Sequence, residues 1–475
     1  MTVRVALRSL AARPVRSAVL ACGFGFGIGV MAGLLGIGEV ILEQARSPDL
    51  AGGGDVVVSG AAGRVTSARF VMSSVLDAPP LEGRTAAVSP STGTKLYLVD
   101  GGSVIPVDAR GGIPSLERAL GDPETSGIEA WTDGPVDLDW TEPDPAGVLR
   151  AMDLFHPIPD VPERAGSWAE WLYFNGRKHD VRFYLSFIFG PEDEKGRRTS
   201  RVRLQLDRGG RMTNYSDTTE VVAAELLATA PDVEIEGSSV RLEGLRYRVN
   251  LALYRELDGS RSSRGQGRPD VTGEIFLDAV PGRSLPPFQV RGAGGWVSGY
   301  VVPVLSGSIG GTLEVEGEAI DFDGGTGYHD HNWGFWEGVT WQWGQVAGEG
   351  LSFVFGRINP PADAVDHHLP GFMMVLGDDG PVGFSTNVRI AEKFDPETGL
   401  PHRITVLADS STVDLKMALT IEDPVSTRIE GGSSSDEHVA LDFLQMRAAY
   451  RVTGHAGDQD LDFTAKGAAE TFRGR

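Results

Sequence analysis

Cysteine is nearly absent from this chain, with Cys22 the single example in 475 residues. No intrachain disulfide and no cysteine-based zinc site can form, so cysteine usage leaves the compartment open. Positive charge is also short, with 43 Lys and Arg against 65 Asp and Glu and a formal net charge of −22. That balance argues against a nucleic-acid partner. Long apolar runs are missing with one exception near the N-terminus, so the chain is not itself a multi-span permease or channel. Sustained helical periodicity is missing as well. In abundance are Gly, at 63, and Pro, at 28, without a collagen-like period. Such punctuation suits many short strands joined by turns. A hydrophobic fraction of 41% with 23% charged residues is that of a globular protein, long enough for two or three domains.

The exception is a run of 22 uncharged residues from Ser17 to Gly38, preceded by Arg4, Arg8, Arg13 and Arg16 and closed by Glu39 and Glu43. As a helix it would extend about 33 Å, enough for a hydrocarbon core of roughly 30 Å. The arginine excess predicts a cytoplasmic tail over 1–16, a single-pass membrane anchor over 17–42 and an extracytoplasmic remainder, periplasmic or at the cell surface. Val19-Leu20-Ala21-Cys22 has some likeness to a lipoprotein cleavage box, but only five uncharged residues separate Arg16 from Cys22. The run continues past that point and is longer than a secretory signal core, which favours an uncleaved anchor. Gly25, Gly29 and Gly33 form a small-residue stripe, readable as a helix-contact face or as glycine tolerated in lipid. The stretch LRSLAARPVRSAVLACGFGFGIGV resembles the first membrane segment of permease subunits of lipoprotein-release and macrolide-export ABC transporters. That resemblance covers only about the first sixty residues and implies ABC transporter subunits as partners.

Residues 43–149 read as an extracytoplasmic spacer with a few strands, rich in Gly, Pro, Asp and Ser and including the acidic stretch VDLDWTEPDP. From residue 150 the apolar period becomes two, as in Val181-Phe183-Leu185-Phe187-Phe189, Val202-Leu204-Leu206, Leu245-Tyr247-Val249-Leu251-Leu253 and Val413-Leu415-Met417-Leu419. Such alternation marks strands with one buried face, and turn signals such as Asp207-Arg208-Gly209-Gly210 separate some of them. The segments Gly166–Trp171 and Thr219–Thr229 can support short helices. The expected class is all-β, as antiparallel barrels or sandwiches. There are too many strands for one small barrel, so two domains are expected, over 150–335 and 336–475.

The richest chemistry lies in Tyr328-His329-Asp330-His331-Asn332-Trp333-Gly334-Phe335-Trp336-Glu337, followed by Trp341 and Trp343. Four of the nine tryptophans fall within the eleven residues from Trp333 to Trp343, a density chance does not readily give. GYHDHNWG followed by WQW resembles the signature of the carotenoid 1,2-hydratase (hydroxyneurosporene synthase) and AttH-like family. Trp168-Ala169-Glu170-Trp171-Leu172-Tyr173-Phe174-Asn175-Gly176 is similar to that family's E-W-W-Y-F-N-G strand, with Leu172 in place of the second Trp. Gly467-Ala468-Ala469-Glu470-Thr471-Phe472 is similar to its closing strand. The resemblance spans roughly residues 150 to 475 and implies two lipocalin-like barrels around an apolar ligand such as a polyene, isoprenoid or other lipid. Hydratase members add water to a terminal carbon–carbon double bond. AttH-like members stand beside ABC transporters without a settled reaction, and the permease-like anchor leans towards them.

The residues themselves suggest how such a hydration would run. Protonating an isolated alkene forms a tertiary cation and needs an acid held in a dry site, where burial keeps a carboxyl protonated. Asp330 is the candidate acid, with Tyr328, Trp333 and Trp336 as ring faces for the cation and His329 or His331 as acceptor of the water's proton. Asn332, Trp341, Trp343, Glu170, Trp171 and Tyr173 complete the candidate ligand-binding set. In an extended strand Tyr328, Asp330 and Asn332 share one face and His329, His331 and Trp333 the other. The expectation is that the barrel interior receives the Asp330 set. Against this stand blander readings: Asp330 and Asn332 as ties between barrels, the tryptophans as core, Glu170 and Tyr173 as barrel closure. His329 and His331 alternate as in H-x-H metal sites, and Asp366-His367-His368 offers further donors, but no fixed spacing joins them. No metal and no cofactor are assigned. The rival to an enzyme is a non-catalytic lipid-binding accessory of an ABC transporter.

Overall fold

A computed structural model describes residues 57–58, 68–72, 87–100, 103–125, 127–141, 144–256, 267–281, 283–365, 371–378, 380–430 and 440–474. The anchor expected over 17–42 and the donors Asp366, His367 and His368 lie outside these residues. Among the described residues no helix is long and apolar enough to cross a membrane. The chain divides into two compact units, residues 1–64 with 86–141 and residues 65–85 with 142–475.

The smaller unit is built on one antiparallel hairpin, Ser91–Asp100 with Ser103–Gly112, followed by the short helix Pro114–Ala119. Buried Glu117 on that helix accepts from Ser89 at 2.7 Å and from Arg110 at 3.0 Å, and Arg110 also pairs with buried Asp122.

The larger unit is nearly all β. Its first sheet runs, in hydrogen-bonded order, Val271–Asp278, Val297–Val315, Gly325–Phe335, Trp168–Lys178, Val181–Glu192, Arg197–Arg208, Arg211–Val222 and Arg246–Arg255. Arg246–Arg255 pairs back onto Val271–Asp278, which closes an eight-stranded antiparallel barrel. Eight strands leave an interior just wide enough for side chains to fill. The alternation read from the sequence fills it, since Phe183, Leu185, Phe187, Phe189, Val202, Leu204 and Leu206 are all buried in one core. The stretch from Trp168 to Trp171 opens a strand and does not form a helix, because Trp168 and Glu170 turn into the barrel while Trp171 turns out. The other helical segment does form, over Ala223–Thr229.

The second sheet holds nine strands, in the order Gly380–Ser385, Phe372–Gly377, Leu351–Asn359, Thr340–Gly348, Gln459–Gly474, Ala440–Ala456, Val413–Glu430, Pro401–Asp409 and Asn387–Phe394. The first and last strands of that order are consecutive in the chain, so the sheet curls around its own core of Phe353, Phe355, Val406, Met417, Met446 and Tyr450. A third apolar cluster lies between the sheets and draws on both, with Tyr173, Tyr184, Tyr300 and Tyr328 from the first and Trp343, Val354, Met374 and Leu376 from the second. The fold is the all-β pair of antiparallel barrels expected from the sequence.

Candidate functional site

The strand Gly325–Phe335 supplies the site and is buried on both faces. Its glycine pattern has a steric cause. Gly334 has φ +148°, and a Cβ there would sit 2.5 Å from the Val297 carbonyl oxygen. Gly299, the cross-strand partner of Trp333, lies beneath the indole, where a Cβ would meet Cε2 at 2.0 Å. The N-W-G sequence is thus a tryptophan laid across one glycine and followed by another.

The face carrying His329, His331 and Trp333 enters the first barrel, contrary to the expectation that the interior receives Asp330. His329 Nδ1 donates to the Tyr173 carbonyl at 2.9 Å, and Nε2 lies 3.0 Å from Asp153 Oδ2. His331 bridges two carboxylates, with Nδ1 2.9 Å from Asp153 Oδ1 and Nε2 3.0 Å from Glu170 Oε1. Tyr247 Oη donates to Asp153 at 2.8 Å, and Arg198 approaches Glu170 at 3.4 Å. Burial alone would lower His331, but its bonds to Asp153 and Glu170 outweigh that and raise it to about 9. Burial alone would raise Asp153 and Glu170, and their histidine partners bring both below the ordinary carboxylate range instead. His156 stacks on Trp333 at 3.8 Å between ring centroids, and His329 on Phe174 at 4.1 Å.

His156, Glu170 and His331 bring three donor atoms within 4.8 Å of one another, a spacing that could hold a metal ion. Glu170 Oε1, however, already takes the His156 backbone N–H at 2.9 Å and lies 2.8 and 3.0 Å from the two imidazoles. With an imidazolium at His331 and Arg198 close by, the two carboxylates are already matched in charge, so the arrangement fits a closed hydrogen-bonded knot better than a metal centre. His329 and His331 have both ring nitrogens engaged on the face opposite Asp330, which removes them as acceptors of a proton from a water beside that carboxyl. Glu170 and Trp333, expected to line the ligand site, belong to this knot.

The other face meets the second barrel. Asp330 Oδ2 accepts from Tyr328 Oη at 2.8 Å and Oδ1 from Asn332 Nδ2 at 2.7 Å. Tyr328 Oη lies 2.7 Å from Tyr300 Oη, which accepts from Trp343 Nε1 of the second sheet at 2.8 Å. Each hydroxyl has one proton, so the donors point one way, from Trp343 through Tyr300 and Tyr328 to Asp330. In return Tyr173, the cross-strand partner of Asp330, donates at 2.8 Å to Glu470 of the second sheet. Burial drives Asp330 well above the ordinary carboxylate value, and the nearby charge of Glu470 adds to this against Tyr328, His331 and Asn332. Burial likewise pushes Glu470 up to about 7, offset in part by bonds from Tyr173 and Gln445.

Of the expected residues, Asp330, Tyr328, Asn332, Trp171, Tyr173 and Trp343 gather on this face. From Trp171 an aromatic wall continues through half-buried Trp336 and Trp341 to buried Phe472, with Trp171 and Trp336 4.5 Å apart and Trp341 stacked on Phe472 at 4.5 Å. A shallow surface depression lined by Arg177–His179 and Asp323–Thr326 lies elsewhere, beginning four rungs down the ladder from Asp330, about 13 Å by strand rise. Asp153, His156, Tyr300, Gln445 and Glu470 were not singled out for chemistry from the sequence. Only Glu470, one charge within GAAETF, carried a visible signal.

Searches against protein-family models and against curated proteins gave no match. Solved structures do match. An AttH candidate from Nitrosomonas europaea is 16% identical over 64% of this chain and 92% of its own, with TM-score 0.42. Kievitone hydratase from Nectria haematococca is 15% identical over 68% and 94%, with TM-score 0.40. CghA bound to Sch210972 is 10% identical over 68% and 96%, with TM-score 0.42. At these values the similarities say nothing about what this chain binds or does.

Proposed function

We propose that the chain binds an apolar isoprenoid or polyene between the two barrels and transfers a proton from Asp330 to one of its carbon–carbon double bonds. The observation that carries this is a carboxyl 4% exposed, set among Tyr173, Tyr300, Tyr328 and Trp343, with no cation bonded to it among the described residues. Burial favours the protonated form of such a carboxyl, which can then deliver its proton to an alkene held beside it where water is excluded. The ring faces offer the resulting cation roughly 2 kcal/mol each. Capture by water gives hydration, and loss of a different proton gives isomerisation. The arginines before Ser17 support placing this unit outside the cytoplasm on a membrane anchor. Alkaline phosphatase fused after residue 60 would then be active, and a reporter active only in the cytoplasm would reverse the topology.

The test of the chemistry is uptake of deuterium and ¹⁸O from labelled water into lycopene by the full chain in detergent. Asp330→Asn keeps the shape but not the proton, and removing a general acid costs about 10² to 10⁴ in rate. Equal uptake by both proteins would remove Asp330 from the mechanism. The permease-like first sixty residues favour a second reading, a non-catalytic lipid-binding accessory of an ABC transporter. Lipid that co-purifies and quenches tryptophan fluorescence without ever acquiring label would select it.

A further inference from the structure

We infer that Glu470, contributed by the second barrel, is the base that takes a proton from the attacking water, opposite the acid Asp330 of the first. This rests on the proposed reading of Asp330. Glu470 sits on the second sheet directly across from Trp343, the residue that begins the donor chain to Asp330. It is 9% exposed and is held from the first sheet by Tyr173, so each barrel steadies the other's carboxyl. Directly across from it on its other neighbouring strand stands Gln445, which donates to Glu470 and is itself 2% exposed. Gln445 Oε1 has no hydrogen-bond donor among the described residues. A water placed there has one hydrogen for Glu470 and the other for Gln445 Oε1, which satisfies the amide and leaves the water's lone pairs for the cation.

The atoms balance. The Asp330 O–H bond breaks as a C–H bond forms on the alkene, leaving Asp330 ionised and a carbocation. The water oxygen forms the C–O bond, and its proton passes to Glu470. Alkene and water have become an alcohol, one proton has moved from Asp330 to Glu470, and bulk water resets both carboxyls after release. The working state needs Asp330 protonated and Glu470 ionised. The groups facing Glu470 are Tyr173 and Asp330 from the first sheet and Gln445 and Trp343 from its own, none of them a cation.

The experiment incubates full-length protein with lycopene in heavy water containing ¹⁸O. Wild type should incorporate both labels. In Glu470→Gln the acid still protonates the alkene and the cation returns its proton, so deuterium exchange should persist while ¹⁸O uptake falls about 100-fold or more. Glu470→Asp, which keeps a shortened carboxylate, should recover part of the ¹⁸O uptake. Its recovery, with a circular-dichroism melt matching wild type, separates lost chemistry from lost fold. Undiminished ¹⁸O uptake in folded Glu470→Gln, or loss of both labels together, would overturn the role of Glu470. Absence of both labels in wild type would instead overturn the reading of Asp330.

Discussion

The two faces of Gly325–Phe335 carry the same kinds of residue and treat them in opposite ways. Inside the first barrel Asp153 and Glu170 are fully buried, yet both are held below the ordinary carboxylate range, because His329 and His331 stand beside Asp153, and His156 and His331 beside Glu170. Between the barrels Asp330 and Glu470 are nearly as buried and are driven the other way, because burial goes unanswered by any bonded cation, their partners being tyrosines and amides, and because the charge of Glu470 adds to the rise at Asp330. Burial is common to both sites, so it does not set the direction. The counter-charge does. A carboxylate with a buried cation is locked into structure, whereas one among neutral donors is left able to give or take a proton.

That contrast can be broken by substitution. Asp153→Ala leaves His331 with one carboxylate and His329 with none, and removing one partner of a buried pair should cost about 3–5 kcal/mol in urea unfolding. Asp330→Asn, one residue along the same strand from His329, keeps one accepting oxygen and turns an amide NH2 towards the other donor, Tyr328 or Asn332, so it should cost about 1–3 kcal/mol. A larger loss at Asp330 than at Asp153 would invert the assignment of the two faces. Gly299→Ala drives a methyl into the Trp333 indole and should cost about 1–3 kcal/mol by overpacking, read from the same transitions.

Acidity separates the faces further. His331 is raised when folded, so its contribution is fully present below its unfolded value of 6.5 and is lost as pH rises through about 9. Glu470 is a carboxyl raised when folded to about 7, so stability falls as pH climbs from its unfolded value of 4.5 to about 7. Glu470→Gln should therefore flatten its share of the decline between about pH 4.5 and 7 and leave the decline towards pH 9 untouched, measured as unfolding free energy across a pH series. The smallest effect belongs to Trp343→Phe, which removes one donor from Tyr300 and should cost about 0.5–1.5 kcal/mol.

Much of the architecture was legible because alternation is local. Val181 through Phe189 and Leu245 through Leu253 announce strands with one buried face, and no partner need be known to see it. The tryptophan-rich stretch from Tyr328 to Trp343 was legible too, as was the separation of Asp330 from His329 and His331 by the period of two. Which face meets what was not. The choice of face depends on Asp153, 176 residues before His329, and on Glu470, 297 residues after Tyr173. No periodicity spans such separations. Asp153 and His156 stand in a short segment of prolines and apolar residues whose pattern gives no hint that it enters a barrel.

The sequence by itself determined the strands, their inward and outward residues and the crowding of aromatic and titratable groups on one of them, because a strand's two-residue repeat is a property of its own backbone. Only the tertiary structure decided that both faces of that strand are buried. It took the histidines into a charge-matched knot and set Asp330 opposite Glu470. Proton affinity inside a protein depends on the charges that the fold brings within a few ångströms, and those charges come from distant parts of the chain.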